Sequence, residues 1–394
     1  MPCVREIARK EKAAFIKANR KEVNDFEGIT DPVEIVKLIH KKRKYDPMVH
    51  WIPCSTPTED VYASMNEEEL ARTTDYLLTL LDVDFSEKAM EIALCLTFFT
   101  EANLDSCLRY CIEYHLFHDP EVFKNSPSDV RDALIELVDI DSDNRNFILL
   151  ALAWIGDDAV VNLFDQWRNS PPAWKNELYI PPEDYSQEAG WELGAKGKRR
   201  DLFFEKCVKL VKKEEQSPED IIAISQRADQ CPWCNLSLIN LVELRSEYLS
   251  FYNLNELDKF QVSTCEVCTA YSSNVYGVYN KKGDTEWASD NIRPEYLPDD
   301  GDSWGRLPED CLTASGFRSP YMACSPCLPT SFSQLGGLPT WVQGSAYPKC
   351  PKCKQSMMFI FQVDREDIEE NSEGIYYAFI CSDCRTTATT YQQT

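Results

Sequence analysis

Cys231-Pro-Trp-Cys-Asn-Leu-Ser-Leu-Ile-Asn-Leu-Val-Glu-Leu244 aligns without a gap on Cys350-Pro-Lys-Cys-Lys-Gln-Ser-Met-Met-Phe-Ile-Phe-Gln-Val363. Each copy is a CxxC turn followed by a strand-like apolar run. The downstream halves correspond as well, Phe260-Gln-Val-Ser-Thr-Cys-Glu-Val-Cys268 against Tyr376-Tyr-Ala-Phe-Ile-Cys-Ser-Asp-Cys384. A CxxC turn aims two thiolates at one ion, and a tetrahedral ion needs two such turns. The 30 residues between Cys234 and Cys265, and the 27 between Cys353 and Cys381, suffice for a hairpin that returns one turn to the other. Duplication therefore pairs Cys231, Cys234, Cys265 and Cys268 as one structural zinc site and Cys350, Cys353, Cys381 and Cys384 as a second, each in a zinc-ribbon-like unit.

With four cysteines per ion, no position remains for water, so the expected zinc is structural and not a Lewis acid. All four histidines, His40, His50, His115 and His118, lie before the repeat. Two alternatives stand beside this reading: unliganded thiols, and a redox motif of the thioredoxin kind. The latter opens a helix, whereas these pairs precede strands. A further pair, Cys324/Cys327, has no duplicate; with Cys311 and a carboxylate it could form a third site, and otherwise it is a pair of loop thiols.

The chain has 394 residues, 43% hydrophobic, with 18 Phe, 18 Tyr and 9 Trp, enough apolar surface for more than one core. No apolar run approaches the roughly 20 residues of a membrane span, and the charged start lacks a secretory h-region. A cytoplasmic address follows, where 17 cysteines read as metal ligands rather than disulfides. The net charge of -24 disfavours phosphate backbones and favours a basic protein partner. Residues 1–44 run against this, with twelve Lys or Arg and seven Asp or Glu. That basic segment either docks on the acidic body or is a solvated helix face.

From Glu6 to Lys213 apolar residues recur at three and four, predicting helices at Arg5–Asp25, Pro32–Lys44, Glu67–Leu81, Ser86–Thr100, Leu104–Phe117, Pro127–Val138, Arg145–Ile155, Ala159–Trp167 and Arg199–Lys213. In Asn146 to Phe164 a helix ends at Gly156, suited to a left-handed cap, and Asp157 or Asp158 caps the next. This turn resembles a HEAT repeat; a general antiparallel bundle is the alternative. Residues 170–198 are a loop-rich edge, and Asp299–Pro308 a polar connection. Cys107, Cys111, His115 and His118 share one predicted helix stripe of roughly 16 Å, too long for one ion and read as a packed face. Asp139–Asn144 imitates a calcium loop, but Leu150 stands where a bidentate Glu is required, so it reads as an interhelix turn.

The stretch Leu328-Pro-Thr-Ser-Phe-Ser-Gln-Leu-Gly-Gly-Leu-Pro-Thr-Trp-Val-Gln343, with Cys350-Pro-Lys-Cys353 and Met358-Phe-Ile-Phe-Gln-Val363, resembles the YwqG-like family. More loosely it is similar to the programmed-cell-death-2-type chaperones of a ribosomal protein. Physically, Gly336-Gly337 lets the backbone take a tight positive-φ turn, and Trp341 then offers an aromatic face, either a core anchor or a partner contact. The expected fold is α+β and multidomain: a HEAT-like all-α domain over 1–213, a linker over 214–229, and a β-rich double zinc-ribbon, YwqG-like domain over 230–394. The expected role is non-enzymatic binding of a basic protein, as a chaperone or as an immunity protein against a toxin. A nucleic-acid binder using Lys349, Lys352, Lys354 and Arg385 is the alternative, and no small-molecule substrate is evident.

Overall fold

The computed structural model describes residues 12, 14–83, 87–213, 221–245, 247–297, 306–369 and 372–393. It divides into two compact units, Met1–Tyr110 and Cys111–Thr394. This division does not coincide with the expected linker over 214–229: residues 214–220 lie outside the described residues, and 221–229 belong to a strand. Most of the expected polar connection over 299–308 also lies outside them.

The first unit holds helices Pro32–Ile39, Thr58–Ala63, Glu67–Val83 and Glu87–Phe99. Asp31 begins the first of these by accepting the Val33 N–H, with Pro32 at the position where a missing donor costs nothing. Val36, Tyr62, Leu77, Ile92 and Leu96 are buried in its core. Of the expected helix Arg5–Asp25, residues 5–11 lie outside the described residues and 14–19 are helical. Lys21–Val23 instead forms β1, pairing in parallel with β2 (Val49–Trp51). A three-residue strand is specified by its distant partner and leaves no periodicity to read.

In the second unit, helices Ser128–Ile140, Arg145–Ile155 and Asp158–Asn169 follow one another through tight turns. Gly156 takes φ 51° as the left-handed cap, and Asp157 accepts the Val160 N–H, as the sequence predicts. The segment 170–198 is more ordered than a loop-rich edge implies. It buries Trp174, Tyr185 and Trp191, and Trp191 donates its indole N–H to the Ala153 carbonyl at 2.9 Å. Strand β3 (Trp191–Leu193) pairs with β4 (Arg199–Asp201). The helix expected over Arg199–Lys213 is therefore absent. β5 (Cys207–Lys212) takes its place because Cys207, Val208 and Leu210 are buried against two partner strands, a demand that outweighs local propensity.

A three-stranded antiparallel sheet comprises β6 (Ile221–Gln230), β7 (Ser237–Arg245) and β8 (Lys259–Thr264). The larger sheet takes β9 (Val275–Tyr279), β10 (Thr285–Trp287), β11 (Leu312–Arg318), β12 (Gln334–Leu335), β13 (Met358–Asp364), β14 (Ile375–Cys381) and β15 (Thr386–Gln392) together with β5, in the order β10-β9-β15-β14-β13-β12-β5-β11. One apolar cluster joins the sheets, with Leu241, Val242 and Phe260 from the smaller and Ile360, Phe361 and Tyr376 from the larger.

The duplication read from the cysteines extends to strand register. Ile239 opposes Thr264 and Asn240 opposes Ser263; the aligned residues Met358 and Phe359 oppose Ile380 and Phe379. Both hairpins then skip one residue, between Asn240 and Val242 and between Phe359 and Phe361, at the same aligned position. The correspondence continues back beyond the repeat visible in sequence. β6 places Ile222 and Ala223 opposite Glu243 and Val242, as β12 places Gln334 and Leu335 opposite Gln362 and Phe361. The next residue has a positive φ in both copies, 66° at Ile224 and 69° at Gly336.

Candidate metal centre

Each hairpin carries its first CxxC just before the leading strand and its second at the end of the returning strand. In each first turn the chain reverses by two backbone hydrogen bonds: Cys231 N–H to Leu236 O (2.7 Å) and Asn235 N–H to Cys231 O (2.9 Å), matched by Cys350 N–H to Gln355 O (2.8 Å) and Lys354 N–H to Cys350 O (2.9 Å). The residue after the second cysteine is left-handed in both, Asn235 at φ 62° and Lys354 at φ 64°. Amides inside the turn point at the leading sulfur, and the Trp233 N–H lies 3.4 Å from the Cys231 Sγ.

The sulfurs of Cys231, Cys234, Cys265 and Cys268 all lie within 4.8 Å of one another, as do those of Cys350, Cys353, Cys381 and Cys384. Sulfur separations include 3.7 Å for Cys231–Cys268, 3.5 Å for Cys234–Cys265 and 3.7 Å for Cys353–Cys381. A tetrahedron with metal–sulfur bonds of about 2.3 Å has edges of about 3.8 Å. Both sets therefore fit a four-cysteine metal site, with the pairing that duplication predicted.

Electrostatics single out the leading cysteine of each set. Hydrogen bonds from Cys265 and then Cys268 hold the Cys231 thiol well below its usual range, helped by the Trp233 and Cys234 amides. Burial acts to raise Cys350, but the Cys353 and Lys352 amides outweigh it and bring that thiol down to about 7. Amide donors that favour thiolate in this way prepare a ligand for a cation. The sets differ in exposure. Cys231, Cys265 and Cys268 are buried and Cys234 half-buried; in the second set only Cys350 is buried, Cys381 and Cys384 are half-buried, and Cys353 is exposed.

The returning turns are unlike. Cys381–Cys384 is a turn ending on Arg385 at φ 51°, whereas Cys265–Cys268 opens the five-residue helix Glu266–Ala270. The expectation that every pair precedes a strand fails there. The helix is preceded by β8 and followed by β9, which pairs antiparallel with β15, so no parallel βαβ unit surrounds it.

Cys324 is buried and Cys327 exposed, and Cys311 packs against the main core. Among the described residues no third group of metal-binding side chains forms around them. The stripe of Cys107, Cys111, His115 and His118 does not form either. The helix ends at Glu113, His115 turns left-handed at φ 55° to meet Asp141 at 2.6 Å, and His118 packs edge-on against Phe147. Asp139 accepts the Trp174 indole N–H at 2.6 Å and Asp141 holds Asn144, an interhelix turn as expected.

Gly336, Gly337 and Trp341 are buried. The Trp341 ring stacks within 6.3 Å of Phe379 and meets Tyr377 and Tyr347 at 5.0 and 5.1 Å, so its aromatic face is turned to the core. What sequence reasoning missed lies beside the first cluster. Trp233, Leu236, Tyr271 and Trp287 are half-buried around Cys231, Cys265, Cys268 and Leu297. The signal was Trp233, aligned with Lys352.

Over its whole length the chain is similar to the uncharacterized protein YpfL of Salmonella typhimurium (strain LT2), 44% identical over 398 residues, covering 100% of this chain and 93% of that protein. The chain belongs to the YpfL family. No family model matches it, and no solved structure does. Among the described residues no helix is long and apolar enough to cross a membrane.

Proposed function

We propose that this chain is a non-enzymatic protein-interaction protein of the cytoplasm, held in shape by two structural zinc ions, whose partner is a basic protein. The observation that carries the reading is the sulfur geometry. Two sets of four thiols at tetrahedral spacing fill every coordination position, leaving none for a reacting water. Soft thiolate ligands in tetrahedral array favour zinc over the harder cations. The net charge of -24 supports a cationic partner. The Gly156–Asp157 turn supports a HEAT-like stacking of helices, and the Gly336-Gly337 turn with Trp341 supports the YwqG-like resemblance.

Metal analysis of protein purified from its native host, together with affinity purification, tests the proposal. Two zinc ions per chain and one stoichiometric basic protein are the expected result. A nascent ribosomal protein would make the role a chaperone, and a toxin encoded next to this chain would make it immunity. A folded chain without metal would overturn the zinc reading. Salt-sensitive binding of RNA or DNA would replace the basic partner with a nucleic acid held near Lys349, Lys352, Lys354 and Arg385.

A further inference from the structure

The two knuckles share a backbone but not a surface. Trp233 and Asn235 of the first occupy the positions of Lys352 and Lys354 in the second. The second knuckle's lysines turn onto nearby oxygens, Lys352 to Cys384 O at 3.0 Å and Lys354 to Pro351 O at 2.6 Å. Around the first knuckle the substituents are aromatic: Trp233 meets Trp287 edge-to-face at 5.0 Å, and both stay half-buried with Tyr271 and Leu236 against the cysteine cluster. The segment that follows Trp287 returns to that same cluster at Leu297, which is buried in it. It carries Ile292 and Tyr296, which are 86% and 71% exposed. Asp290 and Glu295 in this segment are exposed too, against one basic residue, Arg293, and so is Glu286 of β10 just before Trp287.

We propose that the surface of Trp233, Trp287, Ile292 and Tyr296, with Asp290 and Glu295 between them along the chain and Glu286 at its edge on β10, is where the chain docks a Lys/Arg-rich segment of a partner protein. Aromatic faces attract guanidinium and ammonium groups, and the carboxylates add a complementary field. The long aliphatic stems of Lys and Arg cover apolar surface while their heads reach the acids. The same carboxylates repel phosphates and acidic peptides, which is what selects the occupant. The inference rests on the proposed basic partner and assigns that partner a site.

The test uses the full chain and a short fluorescein-labelled Lys/Arg-rich peptide, read by anisotropy at physiological ionic strength. The triple variant Glu286→Lys, Asp290→Lys, Glu295→Lys is expected to weaken binding about tenfold or more, as charge reversal beside a docked cation does. Ile292→Ser with Tyr296→Ser is expected to weaken it severalfold. Reversal of three exposed carboxylates elsewhere, Glu67, Glu68 and Asp82, is expected to change it less than about twofold. All substituted positions are exposed, so unchanged zinc content and circular dichroism will identify folded variants. Equal loss from both triple variants would overturn the face and leave the basic-partner reading standing. No binding by the unaltered chain would overturn both. Concentration-dependent self-association abolished by the first triple variant would show that a second copy occupies the face, which also overturns the proposal.

Discussion

Gly336 and Gly337 hold the backbone at φ 69° and 70°, where a Cβ would lie 2.0 Å from the Lys206 carbonyl oxygen and 2.8 Å from both the Cys207 sulfur and the Pro320 carbonyl oxygen. Alanine at either position combines left-handed strain with backbone collision. Gly336→Ala is expected to cost about 2 to 4 kcal/mol, read as a lower denaturation midpoint. Trp341→Ala, which empties a site walled by Tyr347, Tyr377 and Phe379, should cost about 3 to 5 kcal/mol. A surface role for Trp341 would leave stability near that of the unaltered chain. Ile224 repeats the Gly336 conformation with a buried β-branched side chain at φ 66°, an uncommon strain for such a residue. Glu121 adds a pH signature. Burial pushes its carboxyl up to about 7, with Asp119 adding to the rise while its own amide and Ser325 oppose it. The folded state therefore holds this proton more tightly than the unfolded chain does. Its contribution to stability is full at acid pH and is lost as pH rises through about 7. Glu121→Gln should flatten the fall in Tm between about pH 5 and pH 8, measured by differential scanning fluorimetry.

At the scale of elements, each knuckle and its hairpin form one unit, because the left-handed residue after the CxxC turn sets the register of the strands that follow. Exposure separates the two candidate metal sites. The second has one exposed and two half-buried cysteines, while three of the first are buried. Thiol-modifying reagent in the presence of a zinc-binding dye should release zinc in two phases, with the second site reacting first. Cys353→Ser should remove the faster phase and leave the slower one. The cysteine pairing and the knuckle-plus-strand order were legible because thiol chemistry imposes its own spacing on the chain. β5 was not, since Cys207-Val-Lys-Leu-Val-Lys212 continues a helical pattern locally and becomes a strand only between β11 and β12. Trp341 was legible as an aromatic anchor, but its choice of core over surface depended on Tyr347, Tyr377 and Phe379 converging from other segments.

In the second unit the two copies share more than a core. β9, the strand after the first cysteine cluster, leaves its own hairpin and pairs with β15, the last strand of the second copy. The Thr264 and Thr389 hydroxyls meet at 2.6 Å, and Tyr376 donates to the Glu266 carbonyl at 3.2 Å. Metal binding at one copy should therefore support the other. Zinc in structural sites contributes on the order of 10 kcal/mol of folding energy. Removing it with chelator should collapse β-sheet circular dichroism and expose tryptophan in one cooperative loss, and Cys231→Ser alone should lower the Tm of the whole second unit. Two independent transitions would contradict this coupling.

Sequence by itself determined the local chemistry: which cysteines pair, where Gly156 ends a helix and Asp157 begins the next, and that one knuckle and its strand occur twice. These follow from thiol spacing, backbone sterics and apolar periodicity, all properties of residues close along the chain. Only the tertiary structure decided that β5 joins the large sheet, that the repeat reaches back to β6 and β12, and that the first knuckle gathers Trp233, Tyr271 and Trp287 beside its cysteines. Those choices depend on burial between distant segments, Leu335 opposite Val208 and Trp287 beside Trp233 among them, which no local pattern records.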